Sequence, residues 1–140
     1  MKLYCLGFAL HGHGVLLVEK LRPSWQKGLW NGVGGKVEPG EPAFQAMQRE
    51  FLEETGLVVE DWRPICTLHG PDWEVSVYTA QVDGQEPKQC TDEKVGWWPV
   101  NRLPPHVTNL PWLLAMIGDS DLAGRPLDVT YPNSLGMDTR

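Results

Sequence analysis

The stretch GKVEPGEPAFQAMQREFLEETGL, from Gly35 to Leu57, constrains this chain more than any other. Glycines border it on both sides, and its interior has the period of a helix. Pro42 suits a first helical turn, and Gly56 suits the position just past the last. Three carboxylates, Glu50, Glu53 and Glu54, stand within five residues. At about 100° per residue, Glu53 and Glu54 fall about 60° to one side and about 40° to the other side of Glu50, so all three share one arc. Phe44, Met47 and Phe51 form an adjoining apolar stripe, expected to face the core. Arg49 precedes Glu53 by four residues, a spacing at which it can hold that carboxylate. The helix therefore offers one face to the protein and one to an ion.

Carboxylates crowded in this way repel unless a cation is bound or one of them takes a proton. Hard oxygen donors select Mg²⁺, with Mn²⁺ as a substitute, over softer metals. Magnesium retains waters and bridges carboxylates to phosphates, so a diphosphate-containing substrate follows. A solvated acidic helix face is the plainer reading of such a charge run. The spacing, the arginine and the glycines ahead of the helix stand against it.

Gly35 to Leu57 resembles the signature box of the Nudix hydrolases, with every defined position filled. The order of strands around it is also similar to the MutT-type members, up to about Gly118. The resemblance implies an α/β/α sandwich with a mixed sheet between helices. It also implies hydrolysis of a nucleoside diphosphate linked to another group. Glu50, Glu53 and Glu54 would hold the metal ions, joined by the carbonyl of Gly35. Arg49 and Glu41 would shape the loop and helix.

A chain of 140 residues favours one domain, expected here over 1–118, followed by a polar tail over 119–140. That tail either moves freely or adds a short strand at Leu127 to Tyr131. A net charge of −6 argues against a nucleic-acid polymer as partner but permits a small nucleotide. No stretch is long and apolar enough to span a membrane. A homodimer is compatible with the sequence but not required by it. Cys5, Cys66 and Cys90 have no metal-ligand spacing and cannot all pair within one chain. They read as reduced thiols of a cytoplasmic protein.

Strands are expected at Leu3 to Leu10, Val15 to Glu19, Leu29 to Val37, Glu74 to Val82 and Glu93 to Val100. A bent or broken strand is expected over Leu57 to Leu68. The first two strands should form a hairpin. The box helix should run from Pro42 to Thr55, and a second helix from Asn109 to Ile117.

Metal-assisted attack of water on phosphorus needs a group to accept the water's proton. A box glutamate is one candidate. Glu93, just ahead of the Trp97–Trp98 strand, is another, in line with relatives that place an acid there; otherwise it is a solvated loop charge. Lys36 and Arg22 either contact phosphate or are surface cations.

The segment Trp30-Asn-Gly-Val-Gly-Gly-Lys36 resembles the one before the box in oxidised-purine triphosphate hydrolases. By that likeness Asn31 would hydrogen-bond the base and Trp25 would stack on it. The plainer readings are a turn residue ahead of Gly32 and a loop anchor. One departure stands out. Val107-Thr-Asn-Leu110 lacks the two adjacent aspartates of the mammalian enzymes. Asn109 there is either a base contact or a helix cap.

The leading expectation is a triphosphate pyrophosphohydrolase of the 8-oxo-dGTP type. One rival is a Nudix hydrolase of ADP-ribose, a dinucleotide or a nucleotide sugar. A non-catalytic nucleotide sensor is another, set against an intact box.

Overall fold

The computed structural model describes residues 1–132; positions 133–140, the end of the expected tail, lie outside the described residues. Its spine is β1 (Lys2–His11). Alternate β1 side chains serve two cores: Cys5 and Ala9 on one face, Leu6 and Phe8 on the other. The strand is therefore buried from both sides, which explains its nearly unbroken apolar run.

A turn joins β1 to β2 (Gly14–Glu19), as the hairpin expectation requires. The two strands pair only at Leu10–Val15 and His11–Gly14. Farther back along the same edge, β1 pairs instead with β4 (Val33–Lys36), from Tyr4–Lys36 to Gly7–Val33. The sheet thus forks along one edge of β1. The branch led by β2 carries β3 (Trp30–Asn31) and β7 (Val95–Pro99). On the other edge of β1, β6 (Trp73–Gln81) runs parallel, from Lys2–Trp73 to Leu10–Gln81. Beyond it lie β5 (Arg63–His69), antiparallel to β6, and β8 (Leu127–Thr130), parallel to β5. The chain beyond Gly118 therefore contributes the outermost strand of this branch.

Helix α1 (Ala43–Thr55) covers one face and α2 (Leu110–Ile117) the other, giving the expected α/β/α sandwich. Met47 and Phe51 are fully buried under α1. Each such side chain stabilises the fold by about 1.5–3 kcal/mol. At Gly7 a Cβ would lie 2.6 Å from Met47 Cε, so the bare backbone of β1 lets α1 approach closely. Gly56, at φ 75°, ends the helix, with its N–H donating to the carbonyl of Leu52.

Two local expectations are corrected. Phe44 does not join the core stripe; it is 48% exposed. The buried side chains of α1 are Ala46, Met47, Phe51, Glu54 and Thr55. They begin at Ala46, so Phe44, in the first turn, lies ahead of the covered stretch. Residues 57–62 form no strand; β5 begins at Arg63. Trp62 instead packs edge-on against Phe51, ring centroids 5.1 Å apart. Cys5 and Cys66 are buried and Cys90 is exposed, all three as free thiols. No helix among the described residues is long and apolar enough to cross a membrane.

Candidate active site

Arg49 organises the acidic face of α1. Its Nε and one terminal nitrogen bond both oxygens of Glu41, at 2.9 and 3.0 Å. Its other terminal nitrogen lies 2.9 Å from Glu50 and 3.4 Å from Glu53. It also donates to the carbonyl of Lys36 at 3.0 Å, tying the helix to β4. One guanidinium thus serves three carboxylates and a strand, a task suited to its planar fork of donors. These bonds pull the Glu41 carboxyl below its ordinary range. The carboxylates, led by Glu41, hold the guanidinium firmly in its charged form.

Exposure of the three ligand candidates follows their angle on the helix. The Glu53 side chain is 57% exposed and that of Glu50 is 15% exposed, while Glu54 is buried. Glu50 lies directly over the backbone of Gly35, where an added Cβ would meet its carboxylate at 2.5–2.6 Å. That is why position 35 has no side chain. Burial raises Glu50 above the usual carboxylate range, opposed by Arg49. Burial raises Glu54 further, to about 7, helped by the charges of Glu50 and Glu93 and opposed by Lys20.

Glu93 is 4% exposed, not a solvated loop charge. Its carboxylate accepts from the Leu21 N–H at 2.6 Å and from Lys20 Nζ at 3.4 Å. It therefore clamps the start of the 20–28 loop beside Glu54. Lys20 was not singled out from the sequence, because only the fold brings its charge between two distant acids. Arg22 pairs with Asp92 at 2.6 Å and stands 4.0 Å from Glu93.

The donor set fits a hard divalent cation. Glu54 Oε2 is buried and has no hydrogen-bond partner, a costly arrangement for an acid unless something else engages it. The charge of Glu50 acts on it from nearby, and the cradle at Gly35 has no side chain to obstruct a carbonyl ligand. Among the described residues no three acidic, histidine or cysteine side chains already converge as a cage. Arg49 engages an oxygen of each of Glu50 and Glu53.

A cleft of about 470 Å³ runs from this cradle across the fork in the sheet. Gly34, Gly35 and Lys36 form one wall, and Lys20, Arg22 and Trp25 come from the 20–28 loop. That loop closes on itself at its base, where Lys20 N–H bonds Leu29 O and Gly28 N–H bonds Lys20 O, each at 2.8 Å. Tyr4, Trp73 and Val75 line the far end. These three were missed because the parallel register of β1 on β6, which sets Lys2 beside Trp73 and Tyr4 beside Val75, leaves no local mark in the sequence.

Asn31 also lines the cleft, its carbonyl oxygen accepting from the Gly32 N–H at 2.8 Å. That bond fixes the orientation of its carboxamide. Trp25 is partly buried, with its indole nitrogen enclosed and without a partner. Asn109 stands apart from the cleft-lining residues. Its side chain makes no capping bond to α2, and its Oδ1 accepts from Trp112 Nε1 and the Tyr131 hydroxyl.

A sandwich of this topology, with an arginine-organised acidic helix against a glycine cradle, defines a Nudix hydrolase. The NUDIX domain profile matches residues 5–115, and the chain belongs to that family of pyrophosphohydrolases. It is 33% identical over 109 residues to the oxidized purine nucleoside triphosphate hydrolase of Danio rerio, covering 74% of this chain and 69% of that protein. It is also 33% identical over 99 residues to the 8-oxo-dGDP phosphatase NUDT18 of Mus musculus, covering 64% of this chain but 29% of that protein. Among solved structures, the MutT NUDIX hydrolase from Burkholderia pseudomallei superposes with a TM-score of 0.73 at 27% identity, covering 83% of this chain and 97% of that one.

Proposed function

We propose that this protein hydrolyses a nucleoside triphosphate to the monophosphate and pyrophosphate, preferring an oxidised purine of the 8-oxo-dGTP type. The cleft carries the reading: the glycine strand beneath Glu50 and the aromatic end line one space of about 470 Å³. That volume suits a single nucleotide. The names of the relatives favour an oxidised purine over other bases.

Glu50, Glu53, Glu54 and the Gly35 carbonyl would hold Mg²⁺, with Mn²⁺ able to substitute. When bound, such ions polarise phosphoryl oxygens and make a coordinated water acidic. Arg49 positions Glu50 and Glu53. Glu53, the most exposed of the three, accepts the proton of the attacking water. Glu93 is the other candidate for that task, and through Lys20 and Leu21 it also sets the loop that closes the cleft. Arg22 and Lys36 supply positive charge to the phosphates. Trp25 stacks on the base, and Asn31, already oriented, reads its edge. Asn109, whose Oδ1 accepts from Trp112 and Tyr131, serves the base site as a support.

The test compares wild type with Glu53→Gln on 8-oxo-dGTP, dGTP, dCTP and ADP-ribose, with Mg²⁺ present. Turnover of 8-oxo-dGTP, lost in the variant while its Tm holds, is the expected result. ADP-ribose as the preferred substrate would replace the substrate assignment. Tight nucleotide binding without turnover by either protein would make this chain a sensor.

A further inference from the structure

The chain beyond the segment that matches the NUDIX domain, 5–115, reaches back to Trp73, a residue that lines the cleft. β8 lies along β5, pairing Leu127 with Cys66 and Thr130 with His69. Asp128 on that strand contacts His69 Nε2 at 2.8 Å. The Tyr131 N–H then bonds the carbonyl of His69 at 2.8 Å, which fixes the backbone at the strand's end.

From that anchor the Tyr131 side chain makes two contacts on different elements. Its ring packs against Trp73 at the start of β6, centroids 5.6 Å apart at 53°. Its hydroxyl donates to Asn109 Oδ1 at 3.1 Å, beside the bond from Trp112 Nε1 at 3.3 Å. Trp73 is itself a cleft wall. The indole is also packed onto Gly70 so closely that a Cβ there would fall on the ring. It thus touches both a bare glycine and the tyrosine.

We propose that Tyr131 is a positioning residue of the substrate cleft, tying the Trp73 indole at its aromatic end to the Asn109 carboxamide at the start of α2. The inference rests on the proposed function only in taking the bound molecule to be a nucleotide. Tyr131 lines no part of the cleft and acts through its neighbours. It tunes ground-state binding and base selectivity, not the chemical step at the opposite end.

Two substitutions test this: Tyr131→Phe, which keeps the ring on Trp73 but removes the hydroxyl, and Tyr131→Ala, which removes both contacts. Kinetics are measured on 8-oxo-dGTP and dGTP at a temperature where circular dichroism shows all three proteins folded. Tyr131→Ala is expected to raise KM about tenfold with kcat within about twofold, and to narrow the preference between the two bases. Tyr131→Phe should raise KM by only about two- to threefold. An unchanged KM in Tyr131→Ala, or kcat falling in step with KM, would overturn the proposal.

A wild-type protein inactive on every triphosphate would sink the catalytic reading alone. The same variants are then compared by tryptophan fluorescence titration with 8-oxo-dGMP. A weaker complex in Tyr131→Ala, partly rescued in Tyr131→Phe, supports the positioning role, and equal affinities remove it. Failure of the wild type to bind that nucleotide at all removes both readings.

Discussion

The two ends of the cleft are assembled in opposite ways. The acidic end adjoins Glu41, Arg49, Glu50, Glu53 and Glu54, from one helix and the turn before it, and a single guanidinium joins Glu41, Glu50 and Glu53. The aromatic end gathers Tyr4, Trp25, Asn31 and Trp73 from three strands and a loop. One end is charged, local in sequence and held by hydrogen bonds; the other is largely apolar and exists only once the sheet has formed. Chemistry that any substrate of the class needs can be encoded in a short segment. Discrimination among substrates depends on packing at long range, and so varies more freely.

Glu54→Gln is the sharpest way to break that division. It should lower kcat by about 10²–10⁴-fold, the range lost with a key catalytic group, while KM changes little. Steady-state kinetics with saturating Mg²⁺ check it. A variant that retained wild-type kcat would remove Glu54 from the machinery.

The same variant should be more stable in chelator. Burial raises the Glu54 carboxyl to about 7 from an ordinary 4.5. Between those values the folded chain binds more protons than the unfolded one, so stability falls as pH rises through that window. At about 1.4 kcal/mol per unit the loss approaches about 3 kcal/mol by pH 8. Denaturant melts at pH 5 and pH 8 should therefore show a wild-type decline that Glu54→Gln largely lacks. Equal pH dependence in both proteins would contradict the burial argument.

At the other end, Trp25→Ala should raise KM for the nucleotide without comparable loss of kcat. Loss of stacking worth about 1–3 kcal/mol corresponds to a KM increase of about 5–150-fold. If kcat fell instead, the two ends would not be separable in the way their construction suggests.

The smallest effect concerns the seam beside the cradle. Cys5 pairs with Gly35 across β1 and β4, and burial pushes its thiol up to about 12. A thiol reagent at pH 8 should label exposed Cys90 readily, and Cys5 and buried Cys66 only after unfolding. Mass spectrometry of labelled peptides checks this. Native labelling of Cys5 would mean that the seam opens.

The same contrast explains what could be read in advance. Helical periodicity and end signals located α1 between Pro42 and Gly56, and four-residue spacing placed Arg49 on Glu53. The hairpin and both helices were legible for similarly local reasons, and the sandwich followed from the resemblance that the 35–57 box carries. Phe44 was misplaced because a helical wheel gives the angle of a residue but not where along the axis the covering sheet begins, here at Ala46. Residues 57–62 looked strand-like because Val58, Val59 and Trp62 are apolar, yet only Trp62 is buried, with Val59 at the core's edge and Val58 exposed. Lys20, Tyr4 and Trp73 escaped notice because their roles arise from pairings between distant segments. The forked edge of β1 was equally invisible, since nothing in a strand's own residues says that it will change partners midway.

The self-closed loop at 20–28 has a consequence for how new specificities arise. It is sealed at its base by two backbone bonds and carries Arg22 and Trp25 into the cleft. Its residues beyond the Lys20 and Leu21 contacts to Glu93 can be exchanged as a cassette, lengthened or shortened, while the sheet stays in register. Descendants of such a chain can thus change which molecule they accept and inherit their hydrolytic apparatus intact.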